Sequence, residues 1–90
     1  MSNAFICETV NIVDNNFSAD SRDKDGKRVV MFDHKRTQQL YLSLAHIVQI
    51  ESCVDTKDAS ERGVITMISG IRYISARAAS VICGDVSKLA

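Results

Sequence analysis

The side chains with the most chemical capacity in this chain are two histidines, three cysteines and a scatter of carboxylates. Asp33-His34 is its adjacent carboxylate–imidazole pair. Nucleophilic catalysis needs a nucleophile near a base and a third group that orients the base. Neighbouring residues of a strand point to opposite faces, so adjacency argues against Asp33 orienting His34. His46 follows Ala45 at an expected bend and reads as a partly exposed bystander. Glu8 and Glu51 fall on separate expected strands; exposed strand-face glutamates are the plain reading, and a cross-strand acid pair the sharper one. The four glycines, at 26, 63, 70 and 84, stand singly, so no glycine-rich loop is present to cradle a phosphate. The chain is not expected to be an enzyme, and no catalytic residue is assigned.

Cys7, Cys53 and Cys83 are odd in number, widely spaced and set among apolar or small neighbours. A disulfide framework wants an even count, and structural zinc sites use short ligand spacings that these cysteines, His34 and His46 do not show. They read as reduced, largely buried thiols that behave as small apolar residues. A calcium loop counted back from Gly26 would put Ser21 first, Asp23 third and Asp25 fifth. Its twelfth position is then Phe32, where a bidentate glutamate is required, and Arg22, Lys24, Lys27 and Arg28 repel a cation. No metal and no cofactor are expected.

Two sets of residues suggest recognition instead. Lys35 and Arg36 beside His34, with Arg72 and Arg77 flanking Tyr73, form the candidate contacts of a nucleic-acid binder, an aromatic ring between guanidinium groups being a base-stacking neighbourhood. Asp20, Asp23, Asp25 and Asp33 offset much of that charge. Tyr41, Ile71, Arg72, Tyr73 and Arg77 form the candidate surface for docking on protein.

The elements that must position these residues follow from periodicity. Residues 4–13 are β-branched and aromatic, as a half-buried strand requires. Residues 14–28 are the most polar stretch, with a turn at Asp25-Gly26. Val29 to Phe32 reads as a short strand. Leu40, Leu42 and Leu44 alternate with Gln39, Tyr41 and Ser43, and Ile47 to Val54 continues as another strand. After a polar loop, Val64 to Ile68 and Ile71 to Ser75 flank Ser69-Gly70 as a hairpin. Ala79, Ile82, Val86 and Leu89 then adopt helical spacing, with Ser75 as expected N-cap and Gly84 as a point of breaking or fraying. The fold class predicted is α+β: a mostly antiparallel sheet of five or six strands, open to curling as a partial barrel, with one C-terminal helix.

Ninety residues with 46% hydrophobic content make one small domain, residues 1–90, and eleven basic residues balance eleven acidic ones. That excludes a two-lobed active site and a polycation acting by bulk charge. No apolar run approaches the roughly 18 residues of a membrane helix, and residues 1–8 lack the basic start of a signal peptide, so a cytoplasmic protein without membrane partners is expected. Val64, Thr66 and Ile68 stand against Ile65 and Met67, so apolar groups lie on both strand faces while one helix can cover only one. Self-association is the expected cover for the other.

The run from Leu44 to Glu51 reads L-x-x-I-x-x-I-E, and Gly70 to Tyr73 reads G-x-x-Y before the helix. Residues 40–83 thereby resemble the small flagellar FlbD-like proteins and are similar to the opening of LytTR-type DNA-binding domains. FlbD-like proteins lack a β segment equivalent to residues 4–33, and neither family has a catalytic residue to carry over. The resemblance implies a small regulatory or accessory β domain, and the size and texture of the chain suggest a bacterial or phage protein. The functions expected are therefore a non-enzymatic, homo-oligomeric module that docks on an unidentified protein, then a nucleic-acid-binding regulator, and last an oligomer that sequesters a ligand between subunits.

Overall fold

Leu40 and Leu42 face inward while Gln39 and Tyr41 face water, and this alternation makes Gln38–Ser43 a strand with one wet face. The computed structural model describes residues 4–13, 24–26, 28–30, 32–55 and 59–89. Its elements are β1 (Phe5–Ile12), β2 (Val29–Val30), β3 (Gln38–Ser43), β4 (Ile47–Asp55), β5 (Glu61–Met67), β6 (Arg72–Ser75) and α1 (Ala79–Leu89), with a single 3-10 turn at Leu44–His46. The six strands form one sheet in the order β2-β4-β5-β6-β1-β3. Only β2 and β4 run parallel; the other ladders are antiparallel. The predicted α+β architecture is the one observed.

The sheet has to curl. The chain steps from β3 at one end of the strand order to β4 beside the other end through Leu44–His46 alone. Laid flat, those strands would stand about 19 Å apart at about 4.8 Å per neighbour. The four residue steps from Ser43 to Ile47 reach at most about 14 Å. The turn is tied at both sides, with Leu44 N–H donating to Ala4 C=O at 3.1 Å and Ile68 N–H to His46 C=O at 2.7 Å. The result is a half-barrel.

Both faces of β5 and β6 carry apolar side chains, as the sequence indicates, and the chain covers both itself. On one face Val64 and Ile74 pack with Val13, Val30 and Cys53, bordered by Phe32. On the other, Ile65 packs with Ile6, Leu42 and Ile82 of α1, bordered by Tyr73 and Val86 among others. Fully burying one such side chain is worth about 1.5–3 kcal/mol. The segment around β2 therefore does at these strands what a second subunit was expected to do.

Three local expectations change. Ser75 is the buried last residue of β6 rather than an N-cap, and α1 begins only at Ala79. The helix runs unbroken through Gly84, because Ile82 and Val86 anchor it on either side. Gly63 matters more than its loop-like neighbourhood suggests: a Cβ there would lie 2.7 Å from Ile82 Cδ1 and 3.1 Å from Ala79 Cα. The start of α1 rests on β5 only because residue 63 has no side chain. The hairpin turn agrees with prediction, Gly70 holding φ +92°. Of the calcium-loop positions, Ser21 and Asp23 lie outside the described residues.

Candidate functional site

Along β1 the inward residues are Ile6, Glu8 and Val10, so a carboxylate occupies a core position. Glu8 is 1% exposed, not the solvent-facing glutamate expected of it. It is held from two directions. Ser75 Oγ donates to Glu8 Oε1 at 2.5 Å and accepts from Arg77 N–H at 3.1 Å. Arg77 Nε donates to Glu8 Oε1 at 3.3 Å, its Nη2 donates to Oε2, and its Nη1 reaches Asp85 Oδ2 of α1 at 2.5 Å. Its hydrogen bonds to Glu8 first, then to Asp85, push the guanidinium further above its already high value, so it stays charged. The cluster ties β1, β6 and α1 together, and a buried carboxylate so paired escapes most of its desolvation penalty.

A second charged cluster lies around the end of β4. Buried Asp55 accepts from His34 Nε2 at 3.1 Å through Oδ1, while its Oδ2 lies 3.0 Å from Arg62 Nη2 as an ion pair. Phe32 stacks beside His34 with ring centroids 4.0 Å apart, and the Arg62 guanidinium carbon sits 5.3 Å from the Phe32 centroid. Arg28 pairs with Glu51, so Glu8 and Glu51 are not partners. His34 is thus oriented by Asp55 rather than by Asp33, and it sits in a turn, not on the strand that the sequence led one to expect. Burial pushes the Cys53 thiol up to about 11, Arg28 and Arg62 opposing and Asp55 adding to the rise. At neutral pH Cys53 is a protonated thiol, not a thiolate nucleophile. Among the described residues no three His, Cys, Asp or Glu side chains gather as a metal site.

The strand edges are more open than these clusters. Leu44 N–H bonds Ala4 C=O, and Ala76 N–H bonds Thr9 C=O at 3.1 Å. Antiparallel ladders alternate, so the even-numbered residues of β1 bond β3 and the odd-numbered ones point towards β6. By the same alternation Gln39, Tyr41 and Ser43 aim their backbone N–H and C=O groups off the outer side of β3. That side pairs with no strand among the described residues. The β1–β3 register runs without interruption from Phe5↔Ser43 to Val10↔Gln38, and β3 carries neither charge nor proline. Tyr41 on this strand is 74% exposed.

The residues singled out from sequence occupy different environments. Tyr41 lies on the wet face of β3, whereas Tyr73 packs into the core that Leu40 and Leu42 share. Ile71 is exposed in the hairpin turn, and Arg72 beside it is half-buried on β6. Arg77 is engaged by Glu8 and Asp85. Lys35 and Arg36 are exposed on the 33–37 loop, with Arg36 Nε 3.7 Å from Asp33 Oδ2. Buried Asn11 pins that loop, its Nδ2 donating to Asp33 C=O at 2.8 Å and Thr37 Oγ1 at 3.2 Å. Sequence reasoning passed over Asp85, Asp55 and the open edges. Glu8 was noticed, but as an exposed strand-face group or a partner of Glu51, and neither its burial nor Arg77 was foreseen.

Compared with protein-family models, curated proteins and solved structures, the chain finds no significant match. No helix among the described residues is long and apolar enough to cross a membrane.

Proposed function

We propose that this chain is a non-enzymatic regulatory or accessory module that docks on other protein through its sheet edges and associates with itself. The observation that carries the reading is the outer edge of β3: regular in register, uncharged, and led by exposed Tyr41. Natural sheets blunt such edges with lysine, proline, bulges or covering segments, because unpaired N–H and C=O groups template pairing with another chain. Among the described residues none of those devices is present on β3. A two-fold pairing of β3 with β3 of a second copy is antiparallel and keeps the two Lys35–Arg36 loops at opposite ends of the joined strands. A regulatory role also agrees with the FlbD-like grammar of residues 40–83.

Light scattering at two protein concentrations, on the parent and on Tyr41→Lys, tests this. A dimer that the lysine converts to monomer supports edge pairing. A parent that is monomeric at both concentrations, or a dimer indifferent to Tyr41→Lys, overturns it. Nucleic-acid binding that weakens steeply with salt and is lost on Arg72→Glu would replace this reading with the nucleic-acid one. Arg77 is unsuited to that test, because reversing its charge would also strand Glu8.

A further inference from the structure

β6 leaves the ladder early. It pairs with β1 only at Val10–Ile12, and Ala76 N–H still reaches Thr9 C=O before the chain turns away at Arg77. By the alternation described above, Phe5 and Cys7 point their backbone N–H and C=O groups into the space that a longer β6 would fill. That space is a cleft of about 300 Å³ between β1 and the end of α1, lined by Phe5, Ile6, Cys7, Arg77, Asp85, Lys88 and Leu89. It lies at the small end of the range for ligand pockets. Its long side is a strand edge.

We propose that the cleft binds an extended peptide segment of a partner protein, one carrying an acidic side chain, as a strand added to β1 beyond the end of β6. Strand addition supplies main-chain hydrogen bonds, and the flanking side chains supply selectivity. Exposed Phe5 and Leu89 offer apolar walls at either side of the edge. The charge selection comes from two cations. Lys88 has no ion-pair partner among the described residues, and Arg77 uses three N–H groups on Glu8 and Asp85. A guanidinium has five N–H donors, so Arg77 keeps two for an incoming carboxylate. Asp85, the acidic group lining the cleft, already has an oxygen engaged by Arg77. This site deepens the docking reading and rests on it, yet is separate from the β3 edge and needs no self-association.

The probe is a fluorescein-labelled pentapeptide, Thr-Val-Glu-Val-Thr, with two controls: its lysine counterpart and a version N-methylated at the glutamate. Anisotropy is read on the parent and on Lys88→Glu, an exposed helix position whose thermal midpoint confirms folding. Amide exchange is read in parallel. The expected result is saturable binding of the acidic peptide, weakened roughly tenfold by N-methylation and roughly tenfold by Lys88→Glu. The amides of Phe5 and Cys7 should slow on binding. Absence of saturable binding, indifference to N-methylation, or equal affinity for the lysine peptide overturns the proposal. Protection at Gln39, Tyr41 and Ser43 instead of Phe5 and Cys7 overturns the cleft while leaving the edge-docking reading intact.

Discussion

Glu8 and Arg77, separated by 69 residues, form an ion pair that joins the inward face of β1 to the loop between β6 and α1. Glu8 is wholly buried, while Arg77 is partly open to water and is braced by Asp85 from the helix. The pair therefore fixes the distance between the start of the sheet and the end of α1, and with it the width of the cleft.

Removing one member should cost far more than removing both. Arg77→Ala leaves a buried carboxylate without its cation, and about 3–5 kcal/mol of stability should be lost. Glu8→Ala should fall in the same range, since it leaves Ser75 Oγ and the guanidinium without their main partner. The double change Glu8→Leu/Arg77→Met replaces the pair by apolar groups and should recover most of that loss. Urea unfolding of the four proteins reads the result. Single losses below 1 kcal/mol would mean that Glu8 is not the buried, paired group described.

Gly63 and Gly84 should respond to alanine in opposite directions. A Cβ at residue 63 meets the helix backbone at Ala79 as well as the Ile82 side chain, and backbone cannot step aside cheaply. Gly63→Ala should cost about 1–3 kcal/mol, as overpacked cores do. Gly84 has open space around its Cβ position in the middle of an intact helix, so Gly84→Ala should stabilise by about 1 kcal/mol. Thermal midpoints moving in the same direction would show that the helix does not sit on β5 in this way.

The same two glycines mark how far the sequence could be read. Period-two alternation located β3, and the Ser69-Gly70 pair between two β-branched runs located β5, β6 and the turn that joins them, because those signals are local. The helix was legible from the spacing of Ala79, Ile82 and Val86, although its start was placed at Ser75. What moved the start is tertiary: Ser75 has a buried carboxylate to bind, and no local pattern predicts a partner 67 residues away. The candidate site was harder still. Arg77 was noticed as a neighbour of Tyr73, but the structure turns it towards Glu8, and Tyr73 into the core. An open strand edge leaves no signature of residue type, since it depends on which strand ends first.

Cys53 provides the pH prediction. Its thiol is pushed up to about 11 from an ordinary 9.0, chiefly by burial. Between those values the folded chain keeps a proton that the unfolded chain releases. The unfolded state thus binds fewer protons, and stability must fall as pH rises through this window. Below pH 9.0 the contribution is complete, and above about 11 it is gone. One proton corresponds to about 1.4 kcal/mol per pH unit, so the total is at most on the order of 3 kcal/mol. Urea midpoints from pH 8 to 11 should drop more steeply for the parent than for Cys53→Ala, in which the other titrating groups are unchanged. Equal slopes would contradict a buried thiol here. The same burial sets reactivity: of the three thiols expected to be buried only Cys53 is, so Cys7 and Cys83, exposed on β1 and on the helix, should label promptly with a disulfide reagent, whereas Cys53 should react only as fast as the domain opens.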